Sequence, residues 1–428
     1  MSEKDGNAKC GFMSCDPGAL YTKGRSVHNI STMDKSYILT NASLVLPDRV
    51  VQGGALVVRD GLIEAVAEPG DAELGAADPS AGGRSRQSLP TIDLDGKYVL
   101  PRLLEMHIHG CFGIGFEQIS GGEDLRILAR KLASRGVGAF VPTILWEKNA
   151  VRRLVESIEV SGFPRSVIPG IHIEGPFVNP AKRGGISLAN ISPIQTGLLE
   201  EILETTRGYL KIMTLAPELP GAEAVYKRLK EAGVLVSLGH SDARGQVVLP
   251  RQAFSVTHLF NAMSGVDHRA DQEGLANRAL AGLPAWVELN ADGIHVNRTA
   301  MKLARSAVAP DSLILTSDAV VSAGLPFGEY KYFGVSAFSG TSGVRYKETG
   351  TLIGSSRIGM EIVKSYMDAT GAPLAHGVAA MSDNPSRALG LAMEHTGGRI
   401  AAGAAANFYI WDATLASCMP ASSLEESK

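Results

Sequence analysis

The chain has 428 residues, 45% hydrophobic and 20% charged, and its 41 Lys and Arg nearly balance 44 Asp and Glu. A formal net charge of −3 gives no electrostatic footing for nucleic acid or an anionic membrane surface, and no apolar run approaches the roughly 20 residues of a spanning helix. The start, Met1-Ser2-Glu3-Lys4-Asp5, lacks the charged-then-apolar layout of a signal peptide, so a cytoplasmic protein of one large domain with an appendage is expected.

Residues 1–36 are polar and aperiodic and read as a disordered leader. Within it, Cys10 and Cys15 read as free thiols, because four cysteines in so long a chain do not make a disulfide framework. From Tyr37 the pattern changes to short strands, 38–45, 54–58 and 62–66, with Arg59-Asp60-Gly61 as a turn. A small-residue loop, 70–90, follows. Near the other end, 398–403 and 406–411 also read as strands. Residues 37–97 and 397–415 are therefore expected to form one small β-sandwich domain, with 416–428 as a tail.

Residues 98–396 carry eight apolar runs, at 98–106, 139–143, 167–173, 209–215, 234–238, 254–258, 285–289 and 313–316. Between them lie segments with helical spacing. Leu125, Leu128, Ala129 and Leu132 share a face before Gly136, Ser192-Pro193 reads as an N-cap followed by proline, and 222–232 stops at Gly233. Strand then helix, repeated about eight times, predicts a (β/α)₈ TIM barrel with its site at the carboxyl ends of the strands.

Five of the runs lead into metal-binding residue types: His107 and His109, Glu174, His240, His258 and Asp318. His107 and His109 are two apart in a strand, so both imidazoles project from one face. A lone His-x-His is commonly incidental, but convergence at the ends of strands 1, 3, 5, 6 and 8 makes a shared mouth. The set suits one or two divalent ions, Zn²⁺, Fe²⁺ or similar. A metal so held lowers the pKa of a water from 15.7 toward about 7 and polarises a carbonyl. Asp318 can take the water proton and return it to a departing amine. The chain thus reads as a hydrolase, with Cys111 and His172 as buried core residues.

Six segments in this order resemble the N-acetylglucosamine-6-phosphate deacetylases of the metal-dependent amidohydrolase superfamily. They are His107-Ile-His-Gly110, Gly170-Ile-His-Ile-Glu-Gly-Pro-Phe177, Leu238-Gly-His-Ser-Asp-Ala243, Thr257-His-Leu-Phe-Asn-Ala-Met263, Ala291-Asp-Gly-Ile-His-Val296 and Ser317-Asp-Ala319. The resemblance spans roughly residues 37 to 412. It implies that Glu174, His240 and His258 hold the principal metal, that His107 and His109 complete a second position, and that Asp318 is the general base and acid. It also implies that Gly185, Asn261, Ala262, Leu352, Ile353 and Gly354 line the sugar pocket. His295 and Arg269 would grip the 6-phosphate, the arginine reaching across from a partner subunit, which implies a homodimer.

Departures from the family pattern accompany these matches. Where a Lys-Gly-Ala-His segment is usual, this chain reads Lys182-Arg183-Gly184-Gly185-Ile186, so a donor near the substrate amide is missing. Glu105 replaces the usual aspartate and Arg102 the glycine after Pro101, and the sequence after Asp412 is short. The expected reaction is hydrolysis of N-acetylglucosamine 6-phosphate to glucosamine 6-phosphate and acetate. Ile186 favours, as an alternative, another sugar such as N-acetylgalactosamine 6-phosphate. A non-catalytic scaffold is the third reading, which loss of metal ligands would favour.

Overall fold

The computed structural model describes residues 36–71 and 89–425. The leader with Cys10 and Cys15, and most of the loop expected at 70–90, lie outside the described residues. Eight parallel strands pair in chain order: Leu103–Ile108, Val137–Ile144, Ile171–Glu174, Leu210–Leu215, Leu235–Leu238, Ser255–Val256, Trp286–Asn290 and Leu313–Thr316. The barrel closes where the eighth meets the first, with the amide of His109 donating to the carbonyl of Ala319 at 2.8 Å. Strand 1 is buried along its whole length, because helices cover one face and the barrel interior the other.

Helices follow most strands as the periodicity predicts. Gly122–Ala133 buries Leu125, Leu128, Ala129 and Leu132, and Lys148–Ser161 starts where the Glu147 carboxylate accepts from the amides of Asn149 and Ala150. The alternation breaks in two places. No helix joins Leu238 to Ser255, and after strand 8 the chain forms an antiparallel four-stranded sheet, Gly328–Tyr332, Val335–Gly340, Gly343–Tyr346 and Leu352–Gly354, before the helix Met360–Thr370. The helix expected at Ser192-Pro193 begins later, at Thr196. The Ser192 amide is bound instead to the carbonyl of Pro176 at 3.0 Å, which holds 175–195 as a loop over the barrel mouth.

The run expected as one strand from Tyr98 to Met106 divides. Tyr98–Pro101 pairs with Ser43–Leu44 and with Phe408–Trp411 in the sheet of terminal strands, and the barrel begins at Leu103. That seven-stranded sheet runs Cys418–Pro420, Phe408–Trp411, Tyr98–Pro101, Tyr37–Val45, Val50–Arg59, Leu62–Ala67, with Thr91–Asp93 beside Tyr37–Val45. The hairpin at Asp60-Gly61 needs two left-handed residues (φ 48° and 79°), the conformation that an Asp-Gly pair adopts readily. Residues 398–403 form no strand, whereas Cys418–Pro420, inside the expected tail, does. A core of Leu39, Leu56, Val58, Ile63, Val99, Phe408 and Ile410 fills this sheet's inner face. Among the described residues no helix is long and apolar enough to cross a membrane.

Candidate active site

Three of the predicted metal-site residues have left-handed backbone: His240 (φ 48°), His258 (φ 31°) and Asp318 (φ 50°). Side chains other than glycine rarely adopt this conformation, and it is tolerated where surrounding structure dictates it. Here each residue stands two positions past the end of a strand and faces the cavity at the barrel mouth. His107 and Asp318 lie on hydrogen-bonded neighbours, and Glu174 ends strand 3 between them and the His240–His258 pair.

The six residues form two clusters that share one carboxylate. Glu174 Oε1 lies 3.0 Å from His240 Nε2 and 3.2 Å from His258 Nε2, while its Oε2 lies 3.2 Å from His109 Nε2. Asp318 Oδ1 is 3.6 Å from Nε2 of both His107 and His109. Glu174, His240 and His258 form one potential metal-binding group, and His107, His109 and Asp318 the other.

Proton accounting tests whether these residues fit a metal. His240 Nδ1 lies 2.9 Å from the carbonyl of Lys182, which only accepts, so that nitrogen carries the proton. In the neutral ring Nε2 is then a lone pair, yet it faces a carboxylate oxygen and, at 3.1 Å, the Nε2 of His258. Acceptor faces acceptor, an arrangement a cation resolves. The 3.6 Å separations are too long for hydrogen bonds, but two donors each about 2.1 Å from one tetrahedral ion lie about 3.4 Å apart. The local field points the same way. Burial lowers the His107 pKa, but Asp318, Glu288 and Glu174 outweigh it and raise it to about 10. A proton and a metal ion compete for that position. Burial alone would raise the Glu174 carboxyl, and the facing histidines, His240 foremost, hold it well below the usual range.

Beside the clusters opens a cavity lined by Gly184, Gly185, Ile186, Asn261, Ala262, His295, Tyr332, Leu352, Ile353 and Leu145. Asn261 spends its amide N–H on the carbonyls of His258 and Leu259, leaving its oxygen free to accept. The Asp292 carboxylate accepts from the backbone amides of Ile294 and His295 and from His295 Nδ1 at 2.8 Å. Burial lowers the His295 pKa, but the Asp292 hydrogen bond outweighs it and the net shift is upward, favouring an imidazolium that faces the cavity.

Two predicted pocket residues stand elsewhere. Gly354 is packed against the backbone at Asp318, where a Cβ would meet Val320 at 2.4 Å and the carbonyl of Asp318 at 2.9 Å, so it keeps the backbone close and does not line the cavity. Arg269 is exposed at the start of a short turn, outside the cavity of a single chain. His172 is a satisfied core histidine, its nitrogens 3.2 and 2.8 Å from the hydroxyls of Thr143 and Thr214. Cys111 is buried. Arg102 lies just before strand 1, away from the metal clusters, donating to the carbonyls of Gly138 and Ser166.

Sequence reasoning missed Tyr332 and Glu288. Tyr332 is 4% exposed, sits edge-on to His109 with ring centroids 6.1 Å apart, and its hydroxyl has no hydrogen-bond partner among the described residues. It arrives on the inserted sheet, which strand-helix alternation does not predict. Glu288 had a signal, a lone acid inside the apolar run 285–289.

Residues 98–427 match the amidohydrolase family. The N-acetylglucosamine-6-phosphate deacetylase of Bos taurus is 33% identical over 343 residues, covering 76% of this chain and 81% of that protein. The N-acetylgalactosamine-6-phosphate deacetylase of Escherichia coli O157:H7 is 30% identical over 308 residues, covering 69% and 79%. Among solved structures, the N-acetyl-D-glucosamine-6-phosphate deacetylase of Mycobacterium smegmatis, as a mutant in complex with N-acetyl-D-glucosamine-6-phosphate, superposes with a TM-score of 0.75 at 25% identity, covering 90% of this chain and 98% of that one.

Proposed function

The chain belongs to the N-acetylglucosamine-6-phosphate deacetylase family of amidohydrolases, and we propose that it hydrolyses the acetamide of N-acetylglucosamine 6-phosphate to glucosamine 6-phosphate and acetate. The observation that carries this reading is the pair of three-residue clusters facing each other across Glu174, with Asp318 at their edge and an open cavity beside them. Glu174, His240 and His258 would hold the principal ion, and His107, His109 and Asp318 a second. When bound, the ion supplies Lewis acidity, lowering the pKa of a water and polarising the amide carbonyl.

The side chains do the rest. Asp318 removes the water proton and delivers it to the amide nitrogen, which leaves poorly unless protonated. Asn261 and the backbone at Gly185 and Ala262 orient the sugar, with Leu352 and Ile353 against its apolar faces. His295 binds the phosphate by a charge-assisted hydrogen bond. Arg269 stands outside the cavity of its own chain, and the reading is that it serves the neighbouring subunit of a homodimer working in the cytoplasm.

A second sugar has one observation in its favour. Ile186 is buried in an apolar wall with Leu145 and Val178, so no imidazole polices the ring hydroxyls there. The non-catalytic reading lacks the ligand loss that it requires. Acetate release from a panel of N-acetylated sugar phosphates tests the assignment, and its failure on every 6-phosphate would overturn it.

A further inference from the structure

We propose that Glu288 is a positioning residue that fixes His107 as a ligand, making the cluster of His107, His109 and Asp318 a resident second metal site rather than an optional one. The proposal rests on the metal-dependent reading above. Glu288 lies on strand 7, and its Oε2 is 3.1 Å from His107 Nδ1, with both side chains fully buried. With Nδ1 turned to that carboxylate oxygen, Nε2 is the ring nitrogen left to ligate a metal. That atom is buried without a hydrogen-bond partner, and it faces Glu174 Oε1 and Asp318 Oδ1 at 3.6 Å each.

The energetics of Glu288 support the same conclusion. A buried carboxylate is costly unless it is paired, and among the described residues this side chain has one hydrogen-bond contact, its Oε1 having no partner. A proton on His107 or a cation held on the far side of its ring supplies a counter-charge, and the two compete for the same nitrogen. The four histidines differ in this respect. His240 is oriented by a neutral backbone carbonyl, and Nδ1 of His109 and of His258 is buried without a hydrogen-bond partner. Among the described residues, His107 is the one of the four whose Nδ1 has a carboxylate within hydrogen-bond reach. An anionic partner fixes the ring and raises the basicity of the ligating nitrogen, which favours the metal over an empty site.

The test measures metal rather than turnover. Metal content of the purified holoprotein and stepwise removal by a chelator of known affinity are compared for wild type, Glu288→Gln, Glu288→Leu, His107→Ala and the Glu288→Gln/His107→Ala double variant. Wild type should hold two equivalents. Glu288→Leu should weaken one of them by about 10–100-fold and leave the other unchanged. Glu288→Gln is nearly isosteric and keeps an acceptor without the charge, so it should fall between. In the His107→Ala background, Glu288→Gln should add nothing. A single equivalent in wild type, unchanged affinities in folded Glu288 variants, or an equal effect with and without His107 would each overturn the proposal while leaving the deacetylase assignment intact. Wild type that binds no metal yet releases acetate would remove the metal-dependent reading, and this inference with it.

Discussion

The main-chain amide of Asp318 donates to the carbonyl of His107 across 3.0 Å, so the proposed general base and the histidine pair ride on the two strands that close the barrel. Their side-chain spacing of 3.6 Å is set by that closure rather than by a loose loop. Asp318→Asn should therefore keep the fold and the ion on Glu174, His240 and His258, while kcat falls by a factor on the order of 10² or more, since the amide is nearly isosteric but cannot carry a proton. Near-normal kcat in a folded, metal-loaded variant would move the base to another residue.

Removing the metal should remove the activity. Two groups of three donors, facing each other across Glu174, predict bound divalent metal and reversible loss of acetate release on chelation. Restored activity on adding Zn²⁺ or Fe²⁺ completes the test. Full activity in metal-free protein would refute the mechanism.

Much of this centre was legible in the sequence because strand ends at a barrel mouth converge. The residues after each apolar run, His107, Glu174, His240, His258 and Asp318, met in space as the alternation required. What was not legible came from contacts that alternation does not encode. Tyr98–Pro101 has the apolar character of a barrel strand, yet it is captured by Phe408–Trp411 from the far end of the chain. The inserted sheet that brings Tyr332 and Ile353 to the cavity gives no sign of its destination in its period-two pattern. Glu288 became meaningful only once its partner, His107, was known to lie across the barrel.

Glu105 should leave a mark on stability. Burial pushes its carboxyl up to about 7, against hydrogen bonds from Ser317 and Thr316 that pull the other way. The folded state therefore binds the proton more tightly than the unfolded state, so this contribution is fully present below about pH 4.5 and is lost as pH rises through about 7. In metal-free protein, chemical denaturation of Glu105→Gln across that window should show a flatter pH dependence than wild type. Parallel curves for the two would show that Glu105 ionises normally.

Tyr332 sits edge-on to His109 and lines the same cavity as Ile186. Burial is the first cause that raises its pKa well above 10, and the carboxylates of Glu117, Asp318 and Glu174 add to it, so it remains a proton donor at neutral pH. Tyr332→Phe keeps the ring packing. It should lower kcat/KM for the acetylated sugar phosphate by roughly 2- to 10-fold, the weight of one neutral hydrogen bond. An unchanged kcat/KM would make Tyr332 a packing residue only.

The phosphate and the missing imidazole together give the sharpest prediction. If His295 and a partner's arginine bind the 6-phosphate, unphosphorylated N-acetylglucosamine should be a poor substrate, because each charge-assisted contact is worth roughly 1.5–3 kcal/mol and both are lost at once. Arg269→Ala should then weaken the phosphorylated sugar far more than the free one. Mixing Arg269→Ala with an otherwise intact, active-site-dead Asp318→Asn chain should restore part of the activity, since a mixed dimer pairs one good base with one good arginine. Ile186 adds an asymmetry. A site that leaves no buried donor unpaired with the wrong epimer discriminates weakly, so the 6-phosphates of N-acetylglucosamine and N-acetylgalactosamine should differ little in kcat/KM, and Ile186→His should widen the gap. Equal turnover of free and phosphorylated sugar would discard the phosphate assignment. Strict epimer selectivity in wild type, unmoved by Ile186→His, would place the specificity elsewhere on the cavity wall.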